Sequence, residues 1–244
     1  MSAPTPPSSP RIRSARGSLV VAIDGPAASG KSSTAQWVAQ RLGFRHVDSG
    51  ALYRAATAVA IARAGEELDE ATVLAGLDEI SLRPARHSFT PMWKRGEMEE
   101  LIRAPEVTRH VSRVAQMDAV RRWVNAHVRM AAEGRDVVVD GRDIGTVVFP
   151  DADLKVFLIA DPWERARRRL SQRHGRGPTD AEIADETERL VQRDARDATQ
   201  TVQAKDAILI DTTYLTQAEQ VERIVSLAGV FRGDGPADGS PTRR

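Results

Sequence analysis

One short stretch of the chain constrains its fold more than any other. Residues 20–40 read VVAIDGPAASGKSSTAQWVAQ, which is an apolar run, a glycine-bearing turn and a segment with helical periodicity. Residues 25–32 of this stretch match G-x-x-x-x-G-K-[ST], the pattern of a phosphate-binding loop. Such a loop needs a strand before it and a helix after it, and the flanking residues predict both. The stretch therefore favours an α/β domain organised around this turn.

The residue types of the loop explain how it would hold a triphosphate. Successive backbone N–H groups of such a turn form a cradle for an anion, and the following helix presents its positive end. Lys31 can reach the β- and γ-phosphates, and the Ser32 hydroxyl can coordinate Mg²⁺. The alternative is a glycine-rich strand-to-helix turn with a solvated lysine. The residues predicted to bind the triphosphate are Gly25, Pro26, Ala27, Ala28, Ser29, Gly30, Lys31, Ser32 and Ser33.

Missing motifs narrow the classes of nucleotide-binding protein. The sequence has no Asn-Lys-x-Asp motif, which GTPases use for guanine, and no Leu-Ser-Gly-Gly-Gln motif, the signature of transporter ATPases. With 244 residues, the chain is also short for an ATPase that couples hydrolysis to work. A small kinase is the class that remains.

Four apolar runs predict buried parallel strands. They are continuous in Val, Ile and Leu rather than alternating, which suits strands covered by helices on both faces. FRHVDSG adds a short strand. The four runs are Leu19 to Asp24, Asp136 to Gly141, Leu154 to Ala160 and Ala207 to Thr212. Helical patterns alternate with them, so we predict a three-layer α/β fold with a parallel central sheet.

Several helix boundaries follow from residue chemistry. A helix is predicted from Ser33 to Leu42, and ALYRAATAVAIARAG predicts another that ends at Gly65. DPWERARRRLSQR predicts a helix with Asp161 as N-cap, Pro162 at its first position and Glu164 at its third. The interval from Glu66 to Gly134 is too long for a loop between two core strands, so we expect an inserted subdomain there.

Composition sets limits on location and partners. The net charge is +1, which gives no general attraction to nucleic acid or to a membrane surface. Cysteine is absent, which is compatible with a reducing cytosol, and no apolar run approaches the ~18 residues that span a bilayer. The Pro-, Ser- and Arg-rich ends predict disordered tails. We expect a cytoplasmic monomer without nucleic-acid or membrane partners.

Two further stretches place charged residues where predicted strands end. HVDSGALYRAA puts Ser49 at a helix start and Arg54 about one and a half turns later, while VVVDGRDIGTVVFPDA leaves a strand at Asp140 and continues with Arg142 and Asp143. Ligands of open parallel sheets bind at this edge. Arginine suits a phosphate, and aspartate accepts from an amine such as cytosine N4. Alternatively, Arg142 and Asp143 pair with each other in a loop.

These stretches, with IRAPEVTRHVSRVAQMDAVR and the Arg-Asp pattern of residues 193–197, resemble the bacterial cytidylate kinase family. They occur in the family's order over residues 19–229, and DGRDIGTVVFP is the most specific of them. The resemblance implies the P-loop fold of nucleoside monophosphate kinases, with an inserted monophosphate-binding subdomain and a helical lid. It also implies transfer of the γ-phosphoryl group of ATP to CMP or dCMP with Mg²⁺. The predicted division of the chain is tail 1–17, core 18–65, insert 66–134, core 135–165, lid 166–190, core 191–230 and tail 231–244.

The resemblance also assigns roles to residues. Arg193 and Asp197 would face the ribose, and Asp140 would lie beside the acceptor phosphate. The cytosine edge would meet Ser112, Arg121 and Asp143, and the acceptor phosphate would meet Ser49, Arg54 and Arg142. The catalytic set would be Lys31, Arg54, Arg142 and Arg169, the last reaching the ATP phosphates from the lid. Most other arginines of WERARRRLSQRHGRG are expected to be solvated.

One position departs from the family pattern. The family has an arginine that contacts the acceptor phosphate where RDARDATQTVQ has Gln200. Losing one charge-assisted contact of ~1.5–3 kcal/mol would weaken CMP binding or slow transfer about tenfold or more, unless a neighbour such as Arg196 compensates. Two alternatives stay open: a kinase for another acceptor such as UMP or shikimate, and a nucleotide-binding switch without turnover.

Overall fold

The structure, a computed structural model, describes residues 17–232. The predicted tails therefore lie almost wholly outside the described residues. In chain order the elements are β1 (Val20–Asp24), α1 (Lys31–Leu42), β2 (Arg45–Asp48), α2 (Ser49–Ala64), α3 (Glu70–Leu74), β3 (Ile80–Pro84), β4 (Phe89–Trp93), β5 (Gly96–Glu97), α4 (Glu99–Ile102), α5 (Pro105–Val114), α6 (Asp118–Ala132), β6 (Val137–Asp140), β7 (Leu154–Ile159), α7 (Pro162–His174), α8 (Asp180–Asp197), β8 (Ile208–Asp211) and α9 (Gln217–Arg232).

Strands β2, β6, β1, β7 and β8 form the central sheet in that order, and all neighbouring pairs are parallel. The four strands predicted from apolar runs and the short strand in FRHVDSG are confirmed. Successive residues of β1 face opposite sides, as strand geometry requires: Val20 and Ala22 join one hydrophobic cluster, and Val21 and Ile23 join the other. Continuous apolar runs are needed because both faces are covered.

Helices cover the two faces of the sheet. Helices α1 and α9 pack on one face, and α2, α5 and α6 pack on the other, which confirms the three-layer α/β fold. The predicted caps are also confirmed: α2 ends at Gly65, and the Asp161 side chain accepts hydrogen bonds from the first turn of α7. No helix among residues 17–232 is long and apolar enough to cross a membrane.

The interval 66–134 holds a small antiparallel sheet, β3-β4-β5, and four helices. Buried residues of its helices α5 and α6 belong to the same hydrophobic cluster as one face of the central sheet. The lid interval covers most of α7 and more than half of α8, and the two helices pack together through a third small cluster that includes Ala27 of the loop. The division into core, insert and lid stays a prediction.

Four of the five central strands end at an aspartate: Asp24, Asp48, Asp140 and Asp211. Because the strands are parallel, these carboxylates share the carboxyl edge of the sheet, from which the phosphate loop also leaves. Ligands of open parallel sheets bind at this edge, which here lies between the sheet and helices α5, α7 and α8.

Candidate active site

The predicted phosphate loop connects β1 directly to α1, the context that its motif requires. Gly30, just before α1, is in the left-handed region at φ 89°. Gly25 has φ 147°, and a Cβ there would collide with the carbonyl oxygen of Leu158 on the neighbouring strand β7. Only glycine fits at residue 25, so packing of the loop against the sheet explains this part of the motif.

Lys31 is buried at the start of α1, with its ammonium group folded over the loop. Its Nζ donates to the Pro26 carbonyl at 2.5 Å and lies 3.5 Å from the Ser29 hydroxyl. Burial lowers the pKa of Lys31 well below its ordinary value, and the positive charge of Arg142 lowers it further. The carboxylates of Asp140 and Asp24 oppose this lowering of the pKa, and a bound phosphate would oppose it further.

Ser32 and Asp140 form the part of the site that suits a metal ion. The Ser32 hydroxyl donates to Asp140 Oδ2 at 2.6 Å, and the other oxygen, Oδ1, lies 2.6 Å from His46 Nε2. Burial raises the pKa of Asp140, but the bonds from His46 and Ser32 more than offset it, so that the pKa lies below its ordinary value. Oxygen donors of this kind suit Mg²⁺. Asp140 thus contacts the phosphate loop itself, and its backbone carbonyl accepts from the Ser49 hydroxyl at 2.7 Å.

Two arginines of α7 donate to backbone carbonyls at this edge of the sheet, and one of them contacts the phosphate loop. Buried Arg165 donates to the Ala27 carbonyl at 2.7 Å and pairs with Asp194, which accepts from the Ala27 N–H. Arg168 donates to the carbonyls of Thr212 and Thr213 at 2.6 Å each. Arg167, Arg173 and Arg176 of the same stretch are exposed. Arg165 is buried and Arg168 is half-buried, so these two are exceptions to the expectation that most other arginines of this stretch are solvated. Their residue type alone could not show which carbonyls they meet.

Asp24 was not identified from the sequence. It is buried at the end of β1, and its two carboxylate oxygens accept from the backbone N–H groups of Ile144 and Gly145 at 2.9 and 2.7 Å. These bonds fasten a π-helical turn, Ile144–Val148, to the base of the loop. Burial raises the pKa of Asp24 to about 6 in spite of the two bonds.

Arg121 and Asp143 form an ion pair that lines a cavity of about 690 Å³. Burial raises the pKa of Asp143, while Arg121 opposes that effect. Arg142 pairs instead with Asp197, at 3.6 Å, so the alternative pairing of Arg142 with Asp143 is not what the structure contains. The cavity is lined by Gln116, Asp118, Arg121, Asp143, Thr146, Val147, Arg196, Thr199, Gln200 and Val202.

Four arginines from separate elements form a cluster: Arg54, Arg142, Arg169 and Arg193. Burial lowers the pKa of Arg193 to about 10, and repulsion from Arg142 and Arg54 adds to the shift. Burial and repulsion by arginines also lower the pKa of Arg54 and of Arg169. Among residues 17–232, the buried Nε atoms of Arg142 and Arg193 have no hydrogen-bond partner. We call this set the arginine cluster; its surplus positive charge is typical of a phosphate site.

The cluster has few acidic counterparts within reach. Asp197 lies 3.6 Å from Arg142 Nε and 3.7 Å from Arg193 Nε, so one carboxylate serves two arginines. Arg169 pairs with buried Glu186 of α8 at 2.9 Å, which connects the two lid helices. Arg54 donates to a backbone carbonyl and to the Thr108 hydroxyl, both at 3.1 Å, and the more distant Asp48 carboxylate opposes the lowering of its pKa.

The structure does not bring all predicted base contacts into one cavity. Ser112 lines a second cavity, of about 510 Å³, between α5 and the lid helices, together with Arg169 and Arg193. Arg196 lines both cavities, so the two adjoin. Gln200 lies in the first cavity with the Arg121–Asp143 pair, although the family pattern predicts a phosphate contact at that position.

The comparisons with known proteins decide the family. The cytidylate kinase family model matches residues 21–229. The chain is 42% identical to the cytidylate kinase of Geobacillus kaustophilus over 86% of this chain and 96% of the relative. The chain belongs to the cytidylate kinase family.

Other relatives of this cytidylate kinase family member differ in length. It is 44% identical to the bifunctional pantoate ligase/cytidylate kinase of Synechococcus sp. (strain JA-3-3Ab), over 85% of this chain and 40% of that protein. The chain thus spans less than half of the bifunctional relatives that it matches. Among solved structures, the shikimate kinase of Bacteroides thetaiotaomicron is similar over 88% of this chain and 98% of its own, with a TM-score of 0.48 and 13% identity.

Proposed function

We propose that this protein transfers the γ-phosphoryl group of ATP to CMP or dCMP, which gives ADP and CDP or dCDP. One observation carries the proposal: Ser32 of the phosphate loop donates at 2.6 Å to Asp140, which stands two residues before Arg142 of the arginine cluster. The charges of Arg142 and Arg193 also lower the pKa of Lys31, after burial as the main cause. A donor loop and an acceptor cluster are therefore neighbours. Membership of the cytidylate kinase family, with relatives named for that activity, supports cytidine nucleotides as the acceptor.

Placement and charge would supply most of the catalysis. The acceptor phosphate oxygen is already anionic, so no general base is needed, and we assign none of the carboxylates that role. Arg54 and Arg142 would hold the acceptor phosphate, whose charge offsets their repulsion. Lys31 and Arg169 would neutralise the phosphoryl group as it moves between the two nucleotides. Closure of the lid and the insert would keep water from the γ-phosphate.

Mg²⁺ would bind at the Ser32 hydroxyl, with Asp140 next to it. When bound, the ion neutralises charge on the β- and γ-phosphate oxygens. Among residues 17–232, no group of three or more His, Asp or Glu side chains could hold a metal ion, so the nucleotide phosphates and water must supply most of its ligands. This is the usual arrangement for Mg²⁺ in phosphoryl transfer.

Base selection would depend on the Arg121–Asp143 pair. The Asp143 carboxylate accepts hydrogen bonds, and cytosine presents an amine at position 4. Uracil presents a carbonyl oxygen there, which an ionised carboxylate repels. The cavity beside the pair is large enough for the base. We expect the ribose to face Arg193 and Asp197, and Arg193 lines the adjoining second cavity. Ser112 would join the base contacts from the second cavity, which adjoins the first at Arg196.

We further propose that the protein acts as a cytoplasmic monomer without nucleic-acid or membrane partners. The net charge of +1 supports the absence of a general attraction to polyanions. Sedimentation at several protein concentrations, with and without nucleotides, tests the oligomeric state.

A steady-state assay of ADP formation with Mg-ATP and four acceptors tests the function. We expect turnover of CMP and dCMP, with kcat/KM at least about tenfold lower for UMP and AMP. Lys31→Met is the control, since a contaminating kinase would survive it. Equal turnover of CMP and UMP would overturn the base assignment, and binding of ATP and CMP without ADP formation would favour a nucleotide-binding switch. A gain of about tenfold in Gln200→Arg would place residue 200 at the acceptor phosphate.

A further inference from the structure

His46 is a buried histidine that the proposed reaction does not use. It lies in β2, opposite Val138 of β6, and two residues before Asp48, which is opposite Asp140. Its ring is 9% exposed, and Nε2 lies 2.6 Å from Asp140 Oδ1. Because an ionised carboxylate can only accept, the hydrogen of this bond belongs to His46 Nε2.

The bond matters because of what the other oxygen of Asp140 does. Asp140 is 2% exposed, and its Oδ2 accepts the Ser32 hydroxyl hydrogen at 2.6 Å. The three side chains thus form a chain, His46 to Asp140 to Ser32, in which each carboxylate oxygen has one donor. With one oxygen held by His46, the carboxylate cannot rotate away from Ser32 without breaking a buried hydrogen bond.

The bond between Ser32 and Asp140 determines which groups of the Ser32 hydroxyl remain available to a ligand. A serine hydroxyl has one hydrogen and two lone pairs, and the hydrogen here is committed to Asp140. The lone pairs are then left for a cation at the end of the phosphate loop. Residues that fix the orientation of a metal ligand in this way change metal affinity by about 10- to 100-fold when they are removed.

We propose that His46 is a positioning residue that holds Asp140 against Ser32 and so prepares the Ser32 oxygen for Mg²⁺. The inference rests on the proposed function of the loop as a site for Mg-ATP. A solely structural role is the competing explanation, since a buried Asp140 needs a donor in any case. The two roles differ in whether the loss of His46 acts on metal-dependent binding or on all ligands alike.

Titration calorimetry with ADP, in Mg²⁺ and in EDTA, separates these roles because ADP is not turned over alone. The readout is the Kd of ADP in EDTA divided by its Kd in Mg²⁺, which measures how much the metal ion strengthens ADP binding. We expect H46L, which has no donor, to reduce this ratio about tenfold. H46Q can place an amide N–H near the position of Nε2, so it should stay within about threefold of the wild type. CMP affinity should be unchanged in both variants.

A double-mutant cycle checks that the effect passes through Ser32. S32A removes the hydroxyl, and H46L added to S32A should not reduce the ratio further. If H46L does not fold, as thermal melting would show, H46N supplies the same test because its side chain is too short to reach Asp140.

Three outcomes overturn the inference. The first is an unchanged ratio: if H46L, or H46N where that variant replaces it, has the same ratio as the wild type, metal binding does not need His46. A parallel loss of affinity for CMP and for metal-free ADP shows a structural role. The third is an ADP affinity of the wild-type protein that is the same in Mg²⁺ and in EDTA. This outcome contradicts the proposed function as well, whereas the first two outcomes leave the proposed function intact.

Discussion

The phosphate loop and the arginine cluster meet at the same edge of the sheet, but their polar groups are in opposite states. In the loop, Lys31, Ser32 and the Ala27 carbonyl all have hydrogen-bond partners within the protein. In the cluster, the buried Nε atoms of Arg142 and Arg193 have no hydrogen-bond partner among residues 17–232, they share Asp197 at 3.6 and 3.7 Å, and the guanidinium charges repel one another. The protein thus completes the donor side by itself, whereas the acceptor side needs the charge of a ligand. The two sides should respond differently to substitution.

The largest effect should come from the donor side. Lys31→Met removes the ammonium group that follows the transferred charge, and we expect kcat to fall about 10²- to 10³-fold. CMP affinity should change little, because the arginine cluster is intact. Steady-state kinetics with Mg-ATP, together with calorimetry of CMP, checks both statements. A loss of CMP affinity as large as the loss of kcat would contradict the separation of the two sides.

Asp24 tests how the donor side is held, through pH. Its pKa is raised from 3.8 to about 6 by burial, so the folded protein binds this proton more tightly than the unfolded chain does. Its contribution to stability is therefore fully present below about pH 4 and is lost as the pH rises through 6, a change of about 3 kcal/mol. Denaturant unfolding of the wild type and Asp24→Asn should show this difference between pH 4 and 7. The opposite slope would mean that the two backbone donors outweigh burial.

Asp143 tests base selection on the acceptor side. An amide in place of the carboxylate can donate to the uracil carbonyl, so Asp143→Asn should reduce the ratio of kcat/KM for CMP over UMP. The expected change is about 1–3 kcal/mol, or about 5- to 150-fold. The kcat with saturating CMP should change less than the ratio. An unchanged ratio would remove Asp143 from the base contacts.

Arg193 should show the smallest effect on binding and an informative one on stability. Arg193→Gln removes one contact to the bound nucleotide, and CMP affinity should fall about tenfold. The free protein should not lose stability, because the substitution also removes repulsion from Arg142 and Arg54. Melting curves with and without CMP measure both quantities. A lower melting temperature together with unchanged CMP affinity would indicate that Arg193 stabilises the fold and does not bind the ligand.

The sequence was most informative for features that depend on residues close to one another along the chain. The loop, the strands and the cap at Asp161 are local patterns, and the structure confirms them. His46 and Asp24 could not be identified in this way, because their roles depend on strand order. His46 meets a residue 94 positions away only because β2 lies beside β6. Asp24 meets Ile144 and Gly145 for the same reason, since β1 also lies beside β6.

The acceptor site shows a second limit of sequence reasoning. Family resemblance named Ser112, Arg121 and Asp143 together, but the structure divides them between two adjoining cavities. Ser112 is on α5 and Arg121 is on the next helix, α6, so their separation depends on how these two helices of the insert pack against each other. A motif carries the identity of such residues and not the distance between them.

The most direct test of the contrast between the two sides is the affinity of the wild-type protein for cytidine, CMP and UMP, measured by calorimetry without ATP. If the arginine cluster lacks only a phosphate, CMP should bind at least about 100-fold more tightly than cytidine. If Arg121 and Asp143 select the base, CMP should also bind about tenfold or more tightly than UMP. Equal affinities for cytidine and CMP would contradict the central claim that the acceptor side is completed by the charge of its ligand.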